Sequence, residues 1–245
     1  MLKHAEINWN EWEVCYDGEV EDNEKYEYEA IEINESKNVC YNTVKKFTDL
    51  GVTQTNIHLF TSQENLDFVY EVVNDRLTDP RLANMNAIVF LGVKPKGRAK
   101  GHFHPVPPSD YAKLVKYCLD KKINFGFDSC SCAAFELAIE GMEDLSTEQK
   151  RRYIESSESC ESFGLFSSYI NAEGSFFPCS FAEGEGDWKE GISVVDCDDF
   201  LKDVWFSDKL NKYREMSLST CYASGCRKCL IFDEINPKVE CEAMA

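Results

Sequence analysis

Two short stretches concentrate thiols in the last third of the chain: CESFGLFSSYINAEGSFFPC at 160–179 and CYASGCRKC at 221–229. Thiolates are soft ligands, and four that converge can bind tetrahedral zinc or a four-iron cluster. Cys160, Cys179, Cys226 and Cys229 are the candidate ligands, with 18, 46 and 2 residues between successive members. The C-x-x-C turn at 226–229 lets two sulfurs face one metal centre, and Gly225 before it can relax the backbone. Gly174 and the aromatic pair Phe176 and Phe177 predict a hairpin that returns Cys179 toward Cys160. A structural zinc site more often has two short knuckles, and this chain has one, but spacing alone leaves both metals open. Cys197, Cys221 and Cys241 are spare thiols, any of which can replace a member of the set.

A second chemical spot is DSCSC at 128–132. Cys130 or Cys132 can give a proton or hydrogen atom to a substrate radical, or serve as a further cluster ligand, and Asp128 can position a substrate. The plainer reading is a buried thiol beside the N-cap of a helix. His102 and His104 in GHFHP do not fill a metal site by themselves, and they read as a loop at the rim of a pocket. Lys94, Lys96, Arg98 and Lys100 form a local basic run, either a solvated loop or a grip for an anionic substrate or partner.

The elements that must position these residues belong to an acidic chain of 245 residues with 12 cysteines and a net charge of −18. That charge repels nucleic acid and anionic lipid, so neither is an expected partner. No apolar run approaches a membrane span, and the N-terminus has no signal-peptide core, which makes the expected location cytoplasmic. In such a reducing compartment clustered thiols are more often ligands or catalytic groups than disulfides. Hydrophobic residues at 43% are sufficient for a core.

Residues 1–35 read as strands with an acidic face, because YEYEAIEI alternates apolar and charged residues. From residue 36 helix and strand alternate. NVCYNTVKKFTDLG predicts a helix capped by Asn38 and stopped by Gly51, and TNIHLFTS predicts a strand. Thr61 and Glu64 suggest a capping box for the helix that follows. NAIVFLG and INFGFDS are further strands, with SDYAKLVKYCLDKK a helix between them and CAAFELAIEG a short helix after. This order implies a parallel α/β unit over 36–150, whose chemistry belongs at the C-terminal ends of the strands: Thr61 and Ser62, Leu91 and Gly92, and Asp128 to Cys132. Residues 151–245 form a small cysteine-rich unit, with the amphipathic stretch DDFLKDVWFSDKLNKYREM inside it.

The pattern C-x(13)-G-x(4)-C, followed by GISVVD, FLKDVWFSDKLNKYRE and C-x2-C, resembles the C-terminal module of radical SAM enzymes of the SPASM/Twitch type. NAIVFLGVKPKGRA is similar to a strand and loop in the second half of that family's partial barrel. The resemblance covers roughly residues 38–232 and fits the shorter Twitch form. It implies half of a partial β/α barrel, an auxiliary 4Fe–4S cluster on Cys160, Cys179, Cys226 and Cys229, and Thr61, Ser62 and Gly92 near the nucleoside of S-adenosylmethionine. Its substrates would be peptides or small molecules.

The family's C-x3-C-x2-C motif and its glycine-rich strand are absent from the sequence. Reductive cleavage of S-adenosylmethionine is therefore not expected of this chain alone, and a separate N-terminal half is the implied partner. Residues 1–35 are the candidate docking edge. The alternative is a non-enzymatic binding module whose four cysteines hold structural zinc or a retained cluster.

Overall fold

The structure is a computed structural model that describes residues 22–163, 165–222 and 226–237, with side chains described from Glu35 onward. Two compact units partition the chain, Met1–Thr43 and Val44–Ala245. The helix α1, Asp22–Asp49, runs through the boundary. It corrects the strand expectation for 22–35, while residues 1–21 lie outside the described residues. The physical reason is that Tyr26, Ala30 and Ile33 recur at helical as well as alternating spacing, and Glu, Lys and Ala favour helix over strand. Asn38 accordingly sits inside α1 rather than capping it. Gly51 does end the helix: its φ of +83° is open to glycine, and the Val52 N–H reaches back to the Phe47 carbonyl at 3.0 Å.

The second unit begins with a three-stranded parallel sheet. Strands β1 (Asn56–Thr61), β2 (Ala87–Gly92) and β3 (Phe125–Phe127) lie in sequence order. They are joined through α2 (Leu66–Thr78) and α3 (Pro108–Asp120), the crossover that parallel strands require. Register pairs Phe60 with Leu91 and Thr61 with Gly92, so the C-terminal ends of β1 and β2 are flush. Ile57, Leu59 and Thr61 are buried, whereas His58 and Phe60 on the opposite face of β1 are exposed. One face of this sheet therefore carries a hydrophobic core and the other stands open at β1.

Two helices follow, α4 (Cys132–Glu140) and α5 (Thr147–Glu155). Phe135, Ala138 and Ile139 of α4 pack against Tyr111 and Val115 of α3. The polar stretch LSTEQKRR, where the α/β part was expected to end, is the start of α5, with Ser146 and Gln149 forming a reciprocal capping box.

The cysteine-rich lobe has its own core around Trp188, Phe176, Phe177, Leu210 and Tyr213. The expected hairpin is present as β4 (Tyr169–Ile170) and β5 (Ser175–Phe177), with β6 (Ile192–Ser193) completing an antiparallel sheet. Gly174 turns the hairpin at φ +77°, and a Cβ there would lie 2.4 Å from Val195. Gly191 is equally constrained, since a Cβ would meet the Phe176 carbonyl at 2.8 Å. The amphipathic stretch divides into a π-helical turn, Phe200–Trp205, and α6, Asp208–Ser219. Arg214 of α6 stacks on Trp205 at 4.7 Å and donates to its carbonyl, which locks the turn to the helix.

No helix among the described residues is long and apolar enough to cross a membrane.

Candidate metal centre

A cavity of about 810 Å³ lies between the C-terminal ends of the strands and the cysteine-rich lobe. Phe60, Leu91 and Gly92 supply wall from the sheet, and Phe163, Tyr169 and Phe181 supply wall from the lobe. Four thiols reach it: Cys130, Cys160, Cys179 and Cys229. Three of these belong to the set read from spacing, and the fourth comes from DSCSC.

Each thiol arrives on a defined element. Cys130 sits in the short turn Ser129–Ser131 between β3 and α4, a turn capped by Asp128, whose Oδ1 accepts from the Ser131 N–H at 3.1 Å and from its hydroxyl at 2.8 Å. Cys179 follows β5, and backbone N–H groups of Phe181 and Ala182 point at its sulfur. Cys229 accepts from the Phe232 N–H at 3.4 Å. Its own N–H donates to Asn236 Oδ1 at 2.7 Å, and its carbonyl accepts from the Asn236 side chain at 3.0 Å. The Cys160 carbonyl accepts from Arg227, which fastens the 160 segment to the knuckle.

Burial drives the Cys130 thiol up to about 12, with Asp128 and the Cys160 and Cys229 thiols adding to the effect and Lys94 opposing it. Burial likewise lifts Cys179 to about 11 against its two N–H donors, and it raises Cys229. Sulfurs that accept backbone N–H bonds are suited to a metal-bound thiolate, whose charge those bonds stabilise. Four thiols are the number that either a four-iron cluster or a tetrahedral zinc ion takes. The one group of three or more ligand atoms found within 4.8 Å of each other among the described residues lies elsewhere.

That group is Cys132, Glu136 and Cys226, all buried. Cys226 is thus turned away from the cavity that receives Cys229, and Cys132 is packed with it rather than facing a substrate. The physical reason is packing against α4: Cys226 meets Cys132 and Glu136 on that helix, while Cys229 of the same C-x-x-C turn lines the cavity. The two buried thiols are linked by a hydrogen bond that draws Cys132 below the usual thiol range and holds Cys226 far above it.

The remaining expectations divide. Asp128 lines the cavity and forms an ion pair with Lys94, whose ammonium also donates to the Gly92 carbonyl at 2.7 Å. Gly92 touches this network closely, since a Cβ there would stand 2.7 Å from Ser131 Oγ. Thr61 is buried, and its hydroxyl donates to the Leu59 carbonyl at 3.0 Å. Ser62 is fully buried and bonds Asn65 through both its N–H, at 2.8 Å, and its hydroxyl, at 3.2 Å. Neither caps α2, so the capping-box expectation fails. Thr61 lines a side pocket of about 50 Å³ shared with Gly92 and Cys130. Of the basic run, Lys96 donates to the carbonyls of Ser180, Phe181 and Glu183, tying the β2 loop to the lobe, while Arg98 and Lys100 are exposed. Among the spare thiols, Cys197 donates to the Val194 carbonyl at 3.2 Å and Cys221 is exposed. Cys241 lies outside the described residues.

Glu64, expected as a capping residue, instead holds the 104 loop. Its carboxylate accepts from the His104 N–H at 2.9 Å and meets His104 Nδ1 at 2.6 Å. Burial pushes this carboxyl up, but the His104 bonds outweigh it and bring it down to about 2. A depressed carboxylate stabilises the fold above its unfolded value of about 4.3, and that contribution is lost as pH falls toward 2. Glu64→Gln is expected to cost about 1 kcal/mol at pH 7, as for a surface pair. In urea unfolding followed by circular dichroism, the gap between wild type and variant should close between pH 4.5 and about 2; a gap that persists at pH 2 contradicts the assignment.

Comparison with protein-family models, with curated proteins and with solved structures gives no match for this chain.

Proposed function

We propose that the chain is an iron–sulfur protein, the C-terminal portion of a radical SAM enzyme of SPASM/Twitch type, with one auxiliary 4Fe–4S cluster in the thiol-lined cavity. The observation that carries this reading is the meeting of Cys130, Cys160, Cys179 and Cys229 on one cavity at the C-terminal ends of parallel strands. On this geometry Cys130 takes the fourth ligand position that spacing assigned to Cys226. When bound, the cluster supplies an electron carrier or an anchoring point for substrate.

The protein's own residues do the rest. Phe60, Leu91 and Phe181 give the cavity apolar walls, and its volume leaves room for a peptide side chain or small molecule beside the thiols. Lys94 and Asp128 present paired charges at its wall, suited to orienting a substrate that carries a carboxylate or an amine. Gly92 brings the β2 backbone to the cavity wall where a nucleoside edge would lie, and Thr61 and Ser62 act behind it by tying down the end of β1.

The position of β1 at the edge of the parallel sheet supports a half-barrel that a separate N-terminal half completes by pairing with β1, and cleavage of S-adenosylmethionine depends on that half. A cytoplasmic location follows from the same reading, because cluster thiols need a reducing compartment.

The test is iron and acid-labile sulfide per chain after anaerobic purification, with an absorption spectrum, for wild type and Cys179→Ala. About four of each with a brown chromophore, lost in the variant, is the expected result. Absence of sulfide in the wild type sinks the reading and leaves the chain a binding module.

A further inference from the structure

Cys132 and Glu136 stand one turn apart on α4, so thiol and carboxylate share a helix face. Cys226 meets them from the C-terminal knuckle, and the three ligand atoms lie within 4.8 Å of one another. Exposure is 0% for Cys132, 7% for Glu136 and 4% for Cys226. The Cys132 Sγ to Glu136 Oε1 distance is 3.6 Å. A tetrahedral ion with sulfur at about 2.3 Å and oxygen at about 2.1 Å separates those two atoms by about 3.6 Å. That pair thus already has the spacing of two ligands on one ion, and Cys226 lies within 4.8 Å of both.

Ser157 completes the surroundings. Its hydroxyl lies 3.4 Å from both Cys132 Sγ and Glu136 Oε1, and it donates to the Ile154 carbonyl at 2.7 Å. A hydroxyl so placed fixes carboxylate orientation in the way outer-sphere groups do around metals. Two thiolates with one carboxylate suit a borderline-soft divalent cation. Magnesium and calcium prefer oxygen alone, and iron–sulfur clusters prefer sulfur.

We propose that Cys132, Glu136 and Cys226 bind one zinc ion, separate from the cavity, with a water in the fourth position. The ion joins α4 to the knuckle that carries Cys229, crossing from the α/β part to the C-terminal segment. It is a distinct site from the proposed cluster and does not depend on it.

The experiment is zinc per chain by mass spectrometry after dialysis against metal-free buffer, on the full chain purified with zinc chloride in the medium. Wild type and Cys179→Ser should each hold about one zinc, and Cys132→Ser at least tenfold less. Because Cys132 is fully buried, Glu136→Gln serves as the near-isosteric control, with the same loss expected. X-ray absorption at the zinc edge of the wild type should give two sulfurs and two lighter ligands. Four sulfurs, no zinc in the wild type, or zinc lost from Cys179→Ser while retained in Cys132→Ser would each overturn the assignment. Sulfide content reads the cluster separately, so zinc with no sulfide removes the iron–sulfur reading and leaves this one standing.

Discussion

Cys130→Ala and Cys229→Ala are each expected to lose at least tenfold of the retained iron and sulfide, while Cys226→Ala keeps most of both. Removing groups one shell out from a metal typically costs 10–100-fold in affinity, and a ligand costs no less. The prediction is sharp because sequence spacing and geometry disagree. Spacing favours Cys226, since it completes the C-x-x-C pair. The structure places Cys226 in the buried group with Cys132 and Glu136 and brings Cys130 to the cavity instead. Iron and sulfide assays on the three variants, purified anaerobically side by side, decide it. If Cys226→Ala loses the chromophore and Cys130→Ala retains it, the spacing set stands and the knuckle must turn over when the cluster binds.

Trp188→Ala is expected to destabilise the protein by about 3–5 kcal/mol, the range for removing a large buried aromatic. Trp188 is fully buried, packs edge-on to Tyr213 at 5.3 Å, and carries the Lys209 ammonium over its ring at 4.3 Å. The surrounding segment AEGEGDWKEG is otherwise small and acidic, so little else draws it into the core. Its turn is held by the Trp188 N–H donating to the Glu185 carbonyl at 2.8 Å and by the Gly184 N–H donating to the Trp188 carbonyl at 3.1 Å. A loss of this size is a third or more of typical domain stability. Urea unfolding followed by circular dichroism measures it, and a cost below about 1 kcal/mol would show that the lobe core does not depend on this side chain.

Parts of this architecture are legible in the sequence because they obey a single local period. The alternation of β1, α2, β2, α3 and β3 shows in apolar spacing and glycine stops, and the β4–β5 hairpin shows in Gly174 and the aromatic pair behind it. The helix over 22–35 was misread because Tyr-Glu alternation fits two periods at once. Three of the four cavity thiols were legible as a set, since clustered cysteines in one lobe have few other uses. The partition between Cys130 and Cys226 was not. It depends on which way each sulfur leaves a tight turn, and that is decided by α4, a helix about ninety residues earlier in the chain. The Glu64–His104 contact was hidden for the same reason, because it joins residues from two loops.

The cavity draws its thiols from residues 130, 160, 179 and 229, so it does not exist until the last of these has been made. At about 5–20 residues per second, the interval between Cys130 and Cys229 on the ribosome is on the order of 5–20 s. Throughout that interval Cys130 lacks the residues of the lobe that enclose it in the finished protein. The thiol at 130 is therefore more accessible to solvent in the nascent chain than in the finished one. On the proposed cluster reading, loading of the cavity follows docking of the knuckle that carries Cys229, so synthesis and loading become two successive events in the life of each molecule.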